Sequence, residues 1–87
     1  MKPSADELAE RLRTSFPGAR IEVVDDSHLH AGHAGAEGGA GHYTVNITWR
    51  GFAGQRKIAQ HRLVYDAVAD WMPSRIHALS IHASEIS

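Results

Sequence analysis

The chain has 87 residues, 43% of them hydrophobic, with a formal net charge of −1 and no cysteine. That length allows one domain with a modest core. The charge argues against a strong nucleic-acid binder, and the missing cysteine excludes disulfides, zinc–thiolate sites and a cysteine nucleophile.

The polar N-terminus MKPSADELAERL has no apolar signal core, and no apolar run approaches membrane-spanning length. The expectation is therefore one soluble, cytoplasmic domain over residues 1–87 that engages no membrane, or an organellar one after removal of a transit peptide. A first helix is predicted from about Ser4 to Phe16. Ser4 and Glu7 form the two ends of a capping box, Ala5, Leu8, Ala9 and Leu12 share a face, and Pro17-Gly18 ends the helix. RIEVVDD follows as a short strand.

The next stretch, HLHAGHAGAEGGAGH from His28 to His42, holds four of the seven histidines and five of the eight glycines. It has neither helical nor strand periodicity, and its glycines disfavour both structures. A loop of about 15 residues is long for a compact domain, and such loops are usually functional or disordered. It lacks the character of a phosphate loop, because no lysine follows its glycines and no helix starts at its end.

From His42 to Trp49 the pattern alternates cleanly, with Tyr43, Val45, Ile47 and Trp49 facing one way. RGFAGQ turns the chain, with Phe52 directed to the core and Gly54 making the turn. A second helix is predicted from about Gln55 to Met72, with Ile58, His61, Tyr65, Val68 and Met72 on its inner side, and Pro73 stops it. IHALSIHA reads as a last strand, with His77, Leu79 and Ile81 on one face and Ile76, Ala78 and Ser80 on the other. The order α-β-β-α-β predicts an α+β fold: a three-stranded mixed sheet with helices packed on one face. The first two strands pair as an antiparallel hairpin, and the third runs parallel to a neighbour.

These residues resemble the BolA family. FAGQRKIAQHRLVYDAV followed by IHALSI, with HAGH upstream, carries the resemblance, which runs from the first helix through Ile81. HRLVY on the second helix, Phe52 and Gly54 before it, and the His77-Ala78-Leu79 run on the last strand occur in the family's order. Gln60 departs from the pattern, standing where an arginine usually precedes the His-Arg pair. The resemblance implies a class II KH-like fold and a non-enzymatic role in iron–sulfur cluster assembly, trafficking or iron sensing. It implies a heterodimer with a monothiol glutaredoxin that shares a bridging [2Fe-2S] cluster with glutathione, and a cluster-free form that is a monomer. His77 on the last strand is the implied metal ligand, joined by a loop histidine. Counting forward from Asp26-Ser27 puts that histidine at His30, and counting backward from His42 puts it at His33. His33 is preferred and His30 is retained. His61 is expected to be structural, packed and hydrogen-bonded to nearby backbone; Phe52, Gly54 and Tyr65 are also expected to be structural, while His42 and His82 are expected at the surface or sheet edge.

The residues agree with this chemistry. A chain without cysteine can offer iron only imidazole or carboxylate, and histidine ligation of an iron–sulfur centre raises its reduction potential. Arg56, Lys57 and Arg62 form a cationic run that suits an acidic partner or the carboxylates of glutathione. The alternative is a DNA-binding transcriptional regulator. Gly51 to Gly54 has the Gly-x-x-Gly spacing of KH loops, and Arg56 and Lys57 stand at a helix start where phosphates bind well. No nucleophile with a partnered base and no dinucleotide or Walker loop is present, so an enzyme is not expected.

Overall fold

A computed structural model of the chain describes residues 2–27, 41–72 and 74–85. Helix α1 spans Ala5–Ser15. The capping box forms as its sequence predicts: the Glu7 N–H donates to Ser4 Oγ, and the Ser4 N–H donates to Glu7 Oε1, each at 3.0 Å. Two amides that the first helical turn leaves without helical partners are thereby satisfied. Leu8 and Leu12 are fully buried and Phe16, the C-cap, nearly so.

Strand β1 (Arg20–Asp25) pairs antiparallel with β2 (Gly41–Thr48), which pairs parallel with β3 (Ile76–Ser84), so β2 is central. Tyr43, Val45 and Ile47 point from β2 into the core, and the alternation predicted for this strand holds. Against them pack Leu8, Leu12 and Phe16 from α1 and Val64 and Val68 from the second helical segment. Ile76, Leu79, Ile81 and Ala83 of β3 complete the cluster. The helices therefore cover one sheet face. The other face is a polar ladder in which Asn46 donates to Glu22 and Thr48 meets Ser84.

A 3-10 turn at Arg50–Phe52 leaves β2. Phe52 is fully buried, in contact with Phe16 and Trp49. Gly54 has φ +78°, a left-handed conformation that costs glycine little and a β-carbon more. Both residues do what their sequence context suggests.

The second helix differs from its prediction. Helix α2 spans Lys57–Ala67, and a separate 3-10 turn covers Ala69–Trp71. Its inner stripe is Gln60, Val64 and Val68, whereas Ile58 is 68% exposed and Tyr65 38%. At 100° per residue, Ile58 lies on the far side of the helix from that four-residue stripe. The predicted inner side of Ile58, His61 and Tyr65 is thus rotated outward. Buried Gln60 uses its side-chain amide to donate to the Gln55 carbonyl at 2.9 Å, closing the backbone ahead of the helix. Pro73 lies outside the described residues.

Candidate functional site

Strand β3 opens with a break in register. Gly41 stands opposite Ile76 and His42 opposite Ala78, so two steps on β3 match one on β2 and His77 is the extra residue of a bulge. This corrects the predicted faces of the strand. Ile76, not His77, shares the core with Leu79 and Ile81, and the His77 side chain is exposed. A bulge shifts the alternation by one residue, which a period-two reading of IHALSI cannot register.

The chain ahead of the bulge is anchored. The Arg75 N–H donates to the Trp71 carbonyl at 2.8 Å, and the Arg75 carbonyl accepts from the Gly41 N–H at 3.0 Å. The guanidinium groups of Arg75 and Arg11 each lie 4.5 Å from the Trp71 ring centroid. Gly41 has no room for a side chain: a β-carbon there would collide with the Tyr43 ring.

His42 occupies the neighbouring position on β2. It is 9% exposed, and its ring centroid lies 5.0 Å from that of His77 with the planes inclined by 48°. The sequence places it at the surface or sheet edge, whereas it is nearly buried, paired opposite Ala78 and packed against His77. Its backbone is held from the β1 side. The His42 N–H donates to Ser27 Oγ at 3.1 Å, and the His42 carbonyl accepts from the Asp26 N–H at 2.8 Å. Ser27 in turn donates its own N–H to Asp25 Oδ1 at 2.9 Å, a two-residue turn closed by the aspartate side chain. Thr44 donates its hydroxyl to Asp26. The two ends of the glycine-rich segment, at Ser27 and Gly41, are therefore fastened to one another and to the start of β3.

Two titratable groups in this neighbourhood are displaced. Burial pushes Asp25 upward, but hydrogen bonds from the Ser27 hydroxyl and backbone N–H, together with the Lys2 ammonium 2.9 Å away, outweigh it and hold the carboxyl below its ordinary value. Burial, reinforced by the Asp25 charge, raises the Tyr43 phenol to about 12. That hydroxyl donates to the Pro3 carbonyl and so pins the segment before α1.

The remaining predicted residues divide into two sets. His28, His30 and His33 lie outside the described residues. Lys57 and Arg62 are exposed on α2 and Arg56 is exposed at its N-cap, but Lys57 is committed to the sheet edge, where its ammonium donates to the Ala83 carbonyl. Tyr65 donates to the Leu79 carbonyl at 3.0 Å. His61 was expected to be packed and hydrogen-bonded to backbone. Instead it is half-buried in a shallow groove with Ile58, Arg62 and Tyr65, and has no hydrogen-bond partner among the described residues. The outward rotation of this side of α2 explains the difference. His82 is exposed on the polar sheet face, opposite Asn46. Among the described residues no three histidine or carboxylate side chains gather as a metal cluster, and the His42–His77 pair is the contact that sequence reading missed. No local pattern marks it, because it depends on pairing between strands far apart in the chain.

Comparison with known proteins was made on sequence and on fold. Residues 12–86 match the sequence model for BolA-like proteins. The chain is 33% identical over 81 residues to the DNA-binding transcriptional regulator BolA of Escherichia coli (strain K12), covering 93% of this chain and 74% of that protein. It is 38% identical over 81 residues to SufE-like protein 1, chloroplastic/mitochondrial, of Arabidopsis thaliana. There it covers 87% of this chain but spans only 22% of the relative's length. Among solved structures, the BolA domain of SufE1 from Arabidopsis thaliana superposes with a TM-score of 0.80, at 32% identity and with 98% of this chain and 94% of that one covered. BolA1 from the same plant gives 0.78, at the same identity and coverage. Among the described residues no helix is long and apolar enough to cross a membrane.

Proposed function

The chain belongs to the BolA family, and on that premise we propose that it pairs with a monothiol glutaredoxin and co-ligates a bridging [2Fe-2S] cluster with it and glutathione, in cluster assembly, trafficking or iron sensing. His77 is one ligand, and His33 or His30 is the second. The reading is carried by one observation: His77 is an exposed imidazole on a strand bulge, a donor that a second protein can reach. Imidazole suits iron, and a ligand set shared between chains suits a protein that has no thiolate of its own.

When bound, the cluster supplies one-electron redox chemistry at a potential that histidine ligation raises. The chain's own residues prepare for it. His77 must offer a free ring-nitrogen lone pair to iron. The bulge and the Trp71–Arg75–Gly41 contacts fix the backbone from which that side chain emerges. Arg62, which lines a groove with Ile58, and exposed Arg56 offer cationic groups to an acidic partner or to the carboxylates of glutathione.

Anaerobic reconstitution with a monothiol glutaredoxin and glutathione, followed by size-exclusion chromatography and iron analysis, tests the pairing. A one-to-one complex carrying two irons is expected. A chain that stays monomeric and iron-free beside a loaded glutaredoxin homodimer would refute it.

DNA binding is the second reading, favoured by the exposed Arg56 at the start of α2 and by the name of the Escherichia coli relative. It predicts duplex affinity of the cluster-free chain that falls steeply with salt, and absence of binding at low salt rejects it.

A further inference from the structure

The ring contact between His42 and His77 points to a second role within the same site. We propose that His42 is a positioning residue whose ring, packed against His77, holds that side chain in one orientation for metal ligation; this rests on the proposed role of His77 as a ligand. An exposed side chain on a bulge would otherwise sample several rotamers, and a ligand that must be ordered on binding loses affinity in proportion. His42 is suited to prevent this. It is buried while His77 is exposed, and the rings meet at 5.0 Å and 48°, within the range of favourable aromatic contacts.

The backbone of His42 is held on both sides. It bonds Ser27 and Asp26 on the β1 side and lies in the β2–β3 ladder on the other. Its ring is thus carried by a strand with a neighbour on each side, and the exposed His77 side chain packs against it. Groups that support a metal-ligating histidine typically change metal affinity about 10- to 100-fold when removed.

The test compares His42→Ala, His42→Phe and His42→Leu with the wild-type chain. In the glutaredoxin complex, His42→Ala and His42→Leu should lose the cluster about 10-fold faster and alter its visible circular dichroism. His42→Phe, which keeps a ring but no nitrogen, should retain both properties. In the cluster-free protein, side-chain coupling constants of His77 should show one rotamer in the wild type and His42→Phe, and averaging in the other two. Far-UV circular dichroism confirms folding, and His42→Leu stands in if the alanine variant does not fold. Unchanged cluster lifetime and an unchanged His77 rotamer in His42→Ala and His42→Leu would overturn the proposal, as would a phenylalanine variant no better than these. If the wild-type chain forms no complex with glutaredoxin, the proposed function fails, and the rotamer measurement on the cluster-free chain still decides whether His42 orders His77.

Discussion

The Tyr65 hydroxyl donates to the carbonyl of Leu79 across the gap between α2 and β3. One helical turn apart twice over, at the other end of the helix, Lys57 does the same for Ala83. The Ser84 carbonyl accepts from the Trp49 N–H just after β2, so the carbonyls of Ala83 and Leu79, at odd offsets from it, face the opposite edge of β3. Two side chains spaced eight residues apart on a helix thus cap carbonyls on an edge strand, where unpaired backbone groups invite pairing with another chain. Tyr65→Phe should lower the unfolding free energy by about 1 kcal/mol. Urea denaturation should show a lower midpoint with an unchanged slope.

Phe52 joins the strand, α1 and the turn before α2 in a cluster with Phe16 and Trp49. Its replacement by alanine empties a fully buried site and should cost about 3–5 kcal/mol. That is a large share of the roughly 5–15 kcal/mol typical of a domain. Trp49 lies 5.2 Å from Phe52, so its fluorescence follows the same unfolding transition. Phe52→Leu, which keeps most of the volume, should cost less than half as much.

Acid and base act on opposite ends of the same corner. Asp25 is held below its ordinary value in the fold. Its contribution to stability is therefore present above the unfolded value of 3.8 and disappears as pH falls through the lowered one. Tyr43 is raised to about 12 from 10.0. The fold favours its neutral form, so that contribution is complete below pH 10 and is lost as pH rises toward 12. Denaturation midpoints measured against pH should lose part of their acid slope in Asp25→Asn and part of their alkaline slope in Tyr43→Phe.

Much of the fold was legible because local physics and tertiary packing agree. Ser4 and Glu7 announce α1, and Tyr43, Val45 and Ile47 announce the buried face of the central strand. The family resemblance, carried by HRLVY and the His77-Ala78-Leu79 run, is likewise borne out by the sequence match and the superposed structures. What could not be read depends on relations between elements. The orientation of α2 follows from which residues meet the sheet, and a polar residue, Gln60, takes an inner position while Ile58 is left outside. The bulge at His77 arises from the anchoring of Arg75 by Trp71 and Gly41, which lie far from it in sequence or in the preceding turn. The contact between His42 and His77 depends on that same register. The sequence therefore singles out His77 but does not show its face of the strand or its neighbour.

The central claim is that His77 is a ligand to a cluster shared with a second protein. The most direct measurement is the visible circular dichroism of the reconstituted complex between a monothiol glutaredoxin and either the wild-type chain or His77→Ala, at equal iron content and with folding of the variant verified in the far ultraviolet. The wild-type complex should have a spectrum distinct from that of the glutaredoxin homodimer, and His77→Ala should alter or abolish it. A His77→Ala complex with the wild-type spectrum would show that His77 is not a ligand.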